Sequence, residues 1–376
     1  MDTLSKKKVK YITSIDDLKA LTEEERRELK KVVKNFGFRV TNYYLSLIDW
    51  NDPEDEIKRL IIPSVEELEP WGEKDPSYEK HYTVAPGLQH KYTQTALFLV
   101  GPTCFGYCRF CFRKRLFMED SNEILFDYKP AIEYIKEHEE IHNVLLTGGD
   151  PLILSTERLK DILLSLSEID HLINLRIGTK ALAFNPYRII YDEELLELFK
   201  NINKTGRRLY IISQFDHPRE VNNISRRAIN KLLSAGCVIL AQMPLLKGIN
   251  DSPFTLSELW NSLTNAGVNT YYLFQCRPTV GNKPYAVPIE RGFKIYEQAK
   301  MNCSGIAKRI RYVMSHATGK IEIAGMTEKH MIFKYHQSAD PENIGKTMIF
   351  KRNPDAYWLD DYKELVDSYK IENPFI

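Results

Sequence analysis

The sequence predicts an α/β fold built on a parallel sheet of six strand–helix units, open or closed into a barrel. An N-terminal helical segment precedes it and a C-terminal extension follows. Three observations predict this. Short β-rich apolar runs recur from about residue 95, at 96–101, 143–147, 173–178, 208–213, 238–242 and 270–275. Amphipathic helical stretches lie between them, which is the alternation of a parallel sheet. The polar motifs follow directly after the apolar runs, at the carboxyl ends of the strands, where such sheets bind ligands.

The elements follow in order. Residues 14–50 read as helical, because Leu18, Leu21, Leu29, Val32 and Val33 recur at near-helical spacing among charges. Residues 51–90, rich in Pro, Glu and Trp, read as an irregular covering segment. In the strand–helix region Leu159, Ile162, Leu163 and Leu166 mark one helix. Ile229, Leu232 and Leu233 mark another, which stops at Gly236. The strand runs suit a sheet covered on both faces. A further strand is expected at 310–314. The aromatic-rich tail from 325 onward is expected to pack on the sheet. The resulting division is 1–90, 91–325 and 326–376.

Composition excludes several classes. Lys plus Arg number 52 against 51 Asp plus Glu, so no polyanion such as a nucleic acid is expected as a partner. The first residues carry charge without an apolar signal core, and no stretch approaches the roughly 18–20 apolar residues of a membrane span. A cytoplasmic protein is expected. Six cysteines do not make a disulfide framework in a chain of 376 residues. Cys237, Cys276 and Cys303 are expected to be buried thiols.

The other three form Cys104-Phe-Gly-Tyr-Cys108-Arg-Phe-Cys111, just after a strand. Thiolates are the usual ligands of iron–sulfur clusters. Three of them on a four-iron cluster leave one iron open to a substrate or cofactor. Zinc prefers four ligands and paired CxxC motifs, and no second pair exists here. Chance clustering of structural cysteines is the other alternative. Arg109, Arg113, Lys114 and Arg115 crowd the motif, where charge compensation is their simplest role. Thr147-Gly148-Gly149-Asp150-Pro151 follows the second strand, and adjacent glycines permit close backbone approach. Arg176, Thr179, His217 and Gln242 also fall at strand ends, although a lone histidine serves equally well as a structural residue.

The CxxxCxxC spacing after the first barrel strand resembles the radical S-adenosylmethionine superfamily. The resemblance implies a partial (β/α)6 barrel and a [4Fe-4S] cluster on Cys104, Cys108 and Cys111. It also implies S-adenosylmethionine on the open iron, held by residues that include Gly148, Gly149, Asp150, Arg176, Thr179, His217 and Gln242. Reductive cleavage of that cofactor gives a 5′-deoxyadenosyl radical, with an electron donor such as flavodoxin or ferredoxin. Several motifs in order resemble the lysine 2,3-aminomutase family over residues 40–325: Cys108 to Arg115, the Gly-Gly-Asp, Arg176-Ile-Gly-Thr179, His217-Pro218, Leu245-Leu-Lys-Gly-Ile-Asn-Asp251 and Tyr271-Tyr-Leu-Phe-Gln-Cys276. The family resemblance implies a pyridoxal-phosphate-dependent isomerase that turns an α-amino acid into a β-amino acid. Lys320 of Gly319-Lys320 would carry pyridoxal phosphate, Tyr92 would lie in its phosphate region, and Arg113 would bind the substrate carboxylate.

The chain departs from the lysine-specific pattern. Thr95 stands where the family has arginine, and Gly319 where it has a run of glycines. Where two aspartates hold the distal ammonium of lysine, this chain has Arg277 and Ser315, or His316 if the gap falls differently. An unpaired cation facing a cation is costly to bury. An acidic or neutral amino acid such as glutamate is therefore expected in place of lysine. No cysteine follows Cys303, so the family's cysteine-containing C-terminal metal segment is missing, and homo-oligomerisation is left open. Two competing readings are a radical enzyme without pyridoxal phosphate and a non-catalytic iron–sulfur sensor.

Overall fold

A computed structural model describes residues 9–118, 127–372 and 374. Strands β1 (Tyr11–Ile12) and β2 (Val40–Thr41) pair on their own. All the others join one sheet, in the order β15 to β3. They are β3 (Thr83–Ala85), β4 (Leu88–Tyr92), β5 (Thr95–Gly101), β6 (Asn143–Gly148), β7 (Asn174–Thr179), β8 (Arg208–Gln214), β9 (Val238–Pro244), β10 (Asn269–Phe274), β11 (Arg311–His316), β12 (Gly319–Met326), β13 (His330–Ser338), β14 (Thr347–Lys351) and β15 (Leu365–Tyr369). From β5 to β11 every pairing is parallel. A helix lies in each of the six crossovers, from Lys129–Glu137 to Ile289–Met301. The two edge strands are not paired with each other, so the barrel is partial, as expected. No helix among the described residues is long and apolar enough to cross a membrane.

The sheet is not covered equally on both faces. Along β6, β7 and β9, fully buried residues alternate strictly with partly exposed ones. Val144, Leu146, Leu175, Ile177, Ile239 and Met243 belong to the main core together with the helical Leu159, Ile162, Leu163 and Leu232. The alternate positions, including Thr147, Arg176 and Gln242, face the hollow of the curved sheet. Side chains that alternate across a strand make this division automatic.

The N-terminal segment is less helical than its spacing suggests. Leu18 and Leu21 are buried but precede the helix, which runs over Glu23–Phe36. A reciprocal capping box between Thr22 and Glu25 starts it, and Gly37, at φ +63°, ends it. The C-terminal tail is more regular than expected, since β12 to β15 continue the sheet antiparallel. The expected divisions do not break the sheet: β4 spans residue 90 and β12 spans residue 325.

Candidate active site

The loop after β5 is stitched to the loop after β6. Gly149 donates its backbone N–H to the Gly101 carbonyl (2.6 Å), and Asp150 donates to that of Thr103 (2.9 Å). A Cβ on Gly149 would lie 2.2 Å from the Thr103 oxygen, and Gly148 holds φ +114°. Both glycines are therefore needed sterically. The first loop carries Cys104, Cys108 and Cys111, all free and partly buried. Burial pushes the Cys104 thiol up, and Asp150, Cys111 and Cys108 add to the effect, which places the three sulfurs in one electrostatic neighbourhood. Among the described residues, no three Cys, His, Asp or Glu close on a single metal ion. Three free thiols on one loop within electrostatic reach of one another suit a cluster, whose thiolates each bind a separate iron.

The cations near the cysteines are paired within the protein. Arg109 donates to both oxygens of Glu67 (2.9 and 2.8 Å), and Lys114 lies 3.4 Å from the same carboxylate. All three are almost fully buried. Arg113 donates from Nε (3.1 and 3.0 Å) and Nη2 (2.8 Å) to Glu79, and from Nη1 to Thr147 Oγ1 (2.9 Å). Arg115 donates to Glu79 at 2.6 Å. Burial alone would raise the Glu79 carboxyl, but Arg113, Arg115 and Arg277 hold it well below the ordinary carboxylate range. Arg113, expected to meet a substrate carboxylate, thus gives one side of its fork to the chain's own Glu79.

At the next strand ends Asp150 acts as a brace. It accepts from Thr179 Oγ1 (2.7 Å) and from the backbone N–H groups of Lys180 (2.8 Å) and Leu152 (3.0 Å). Burial lifts its carboxyl to about 6 against these bonds. His217 is buried and caps the turn Pro218–Glu220, accepting from the Arg219 N–H through Nδ1 (3.3 Å). Gln242 faces the hollow in register with Gln214 and Tyr272. Sequence reasoning missed Lys180, whose ammonium sits between Asp216 and Glu220 (2.8 Å to the latter). Those carboxylates keep it charged against burial, with Cys108 also in electrostatic reach.

Lys320 is the second residue of β12, across from Ser315 in the β11–β12 hairpin. It therefore belongs to a strand, not to a solvated turn. Two residues of the covering segment and Lys91 of β4 hold the hairpin. Ser77 Oγ donates to the Ser315 carbonyl (3.1 Å), Tyr82 to that of Ala317 (3.0 Å), and Lys91 Nζ to that of His316 (2.7 Å). His316 turns away from Lys320, bonding Thr318 Oγ1 (2.8 Å) and Asp360 (2.9 Å). Among the described residues Lys320 Nζ makes no hydrogen bond or ion pair; it lies 4.2 Å from the centre of the Tyr272 ring. Burial, followed by Arg176, Arg277 and Lys91, lowers its pKa to about 7. Arg277 stacks 3.6 Å over Phe112, the residue after Cys111, and so links the cluster loop to this pocket. Its Nη1 and the Nε of Arg176 are buried without a hydrogen-bond partner among the described residues. Burial brings Lys91 to about 8 and Arg277 to about 10. Tyr92 ends β4 beside Lys91, and its phenol is raised by burial. An amine without a partner, ringed by cations with unmet donors, fits a phosphorylated aldehyde.

Residues 98–256 match the model of the radical SAM superfamily. A relative in Aquifex aeolicus (strain VF5), named “Putative L-lysine 2,3-aminomutase”, is 53% identical over 97% of this chain and 98% of its own length. The L-lysine 2,3-aminomutase of Clostridium subterminale is 34% identical over 78% of this chain and 71% of that protein. The glutamate 2,3-aminomutase of Clostridioides difficile (strain 630) is 37% identical over 79% and 70%. With its cysteine loop and glycine pair at the carboxyl end of a partial barrel, the chain belongs to the lysine 2,3-aminomutase family of radical SAM isomerases.

Proposed function

We propose that the chain is a pyridoxal-phosphate-dependent amino acid 2,3-aminomutase, with the cofactor on Lys320 and an acidic or neutral amino acid, such as glutamate, as substrate. The observation that carries this reading is the unpaired Lys320 amine, facing Arg176, Arg277 and Lys91 with two orphaned donors among them. When bound, the [4Fe-4S] cluster and S-adenosylmethionine supply a 5′-deoxyadenosyl radical for hydrogen abstraction, and pyridoxal phosphate supplies a carbonyl and ring for nitrogen transfer. With the cluster held by Cys104, Cys108 and Cys111, the reducing electron would come from a donor of the flavodoxin or ferredoxin class.

The chain's own residues bind and orient. Cys104, Cys108 and Cys111 hold the cluster. Gly148, Gly149, Asp150, Thr179, His217 and Gln242 shape the S-adenosylmethionine site, the glycines by letting backbone approach and Asp150 by bracing the adjoining turn. Arg176, Lys91 and Tyr92 attract the phosphate. Lys320 stays substantially neutral near pH 7, as a nucleophilic amine must. Arg113, Arg277 and Ser315 face the substrate. A substrate ammonium beside Arg277 would meet a buried like charge, whereas a carboxylate would gain a charge-assisted pair.

The test is anaerobic incubation of reconstituted protein with S-adenosylmethionine, a chemical reductant and a panel of glutamate, alanine, lysine and aromatic amino acids. Products are identified by mass spectrometry. A β-amino acid from a non-cationic substrate, lost in Lys320→Ala, is the expected result. Conversion of lysine alone overturns the substrate assignment. Turnover that survives Lys320→Ala overturns the role of pyridoxal phosphate.

A further inference from the structure

Glu79 is a buried carboxylate inside a cationic site, and the chain is shaped to hold it there. Its oxygens take four bonds from Arg113 and Arg115. The side chain of Asp75 accepts from the backbone N–H groups of Glu79 (3.0 Å) and Lys80 (3.1 Å), and Thr83 Oγ1 donates to the Glu79 carbonyl (3.2 Å). Directly before it, Tyr78 is the one non-glycine residue with positive φ (+52°) among the described residues. A left-handed backbone at a bulky residue is unfavourable and persists only where its surroundings enforce it. The segment that contains this strain also supplies Ser77, Tyr82 and Lys91 to the Lys320 hairpin.

We propose that Glu79 is a positioning residue for amino acid binding. It fixes the Arg113 guanidinium between itself and Thr147, so that the remaining N–H groups of Arg113 are aimed at the substrate α-carboxylate, while Arg277, in electrostatic reach of the same Glu79, is left for the substrate side chain. The proposal rests on the aminomutase reading above. A guanidinium carries five N–H donors in a rigid plane. Anchoring one side of that plane fixes the direction of the other. Glutamine at this position keeps the shape but replaces one acceptor with a donor. That donor would face Arg113 or Arg115 across a distance now occupied by a charge-assisted bond, and one guanidinium must swing away.

The experiment compares wild type, Glu79→Gln and Glu79→Asp, each reconstituted with cluster and pyridoxal phosphate. Two quantities are read: KM and kcat for the amino acid that the wild type converts, and its equilibrium binding by calorimetry with reductant withheld. Loss of charge-assisted bonds predicts that Glu79→Gln weakens binding and raises KM at least about ten-fold, with iron content and the cofactor absorbance retained. Glu79→Asp, which keeps the charge but withdraws it by one methylene, should fall between the two and guards against failure of the Gln variant to fold. Unchanged binding in the variants overturns the proposal. So does tighter binding in Glu79→Gln, because it would make Glu79 a competitor of the substrate. Failure of the wild type itself on every amino acid overturns the aminomutase reading instead.

Discussion

Among the described residues Lys320 has no acceptor, and the charges that act on it, those of Arg176, Arg277 and Lys91, are cationic. Burial and like charge both penalise its ammonium form, so its titration moves from 10.5 to about 7. Only the free amine can attack a carbonyl carbon. The rate at which the cofactor-free protein takes up pyridoxal phosphate should therefore rise with pH, with an inflection near 7 in place of one near 10.5. Arg277→Ala removes one repelling charge and should move that inflection upward. Stopped-flow absorbance at a series of pH values measures both, with Lys320→Ala as the blank. The candidate residue was legible only through the family resemblance, which points to a Gly-Lys beyond the last barrel strand, here Gly319-Lys320. Its strand setting was not, because the turn that places it is only Ala317 and Thr318.

At the scale of elements, the cluster loop is fastened to the covering segment through charge. Glu67 sits in the 3-10 turn Val65–Leu68 and holds Arg109 and Lys114 at once. Removing one member of a buried set leaves its partners uncompensated, at about 3–5 kcal/mol. Glu67→Gln should lower the urea midpoint accordingly and reduce iron retained on reconstitution, as followed by circular dichroism and iron assay. The parallel strands were readable because apolar runs bounded by polar motifs are a local signal. Glu67 and Glu79 were not, because in a Glu-rich stretch a carboxylate looks solvated, and its cation lies 42 or 34 residues away. The antiparallel tail escaped for a different reason. Lys320 to Ile323 does alternate polar with buried apolar residues, but the alternating run is only that long before the irregularity between Ile323 and Gly325. The Thr22–Glu25 capping box was present in the sequence, and it would have moved the first helix to its true start.

At the scale of the molecule, one sheet runs from the covering segment through the barrel into the tail. The backbone of β12 is paired on one side with β11 and on the other with β13. Truncation after residue 326 would leave the Lys320 strand with an open edge and expose the buried Ile321 and Ile323 to water. The truncated chain should be insoluble or unable to take up pyridoxal phosphate, whereas the full chain should show coincident loss of both regions in denaturant. Fluorescence and limited proteolysis along a urea series distinguish this from independent unfolding of the tail.

The cysteine loop and glycine pair leave β5 and β6, whereas Arg277, Ser315 and Lys320 come from the last parallel strands and the hairpin beyond. The residues read as holding the cluster and those read as choosing the substrate thus lie on largely separate stretches of chain, Arg113 excepted. The stretches meet where Arg277 stacks on Phe112, Asn282 donates to the Phe110 carbonyl and Lys114 to that of Gly281. Changes in the later stretch can therefore alter what is bound while leaving the cysteine loop intact. A laboratory library confined to positions 277 and 315 should redirect the enzyme to new amino acids without extinguishing the radical.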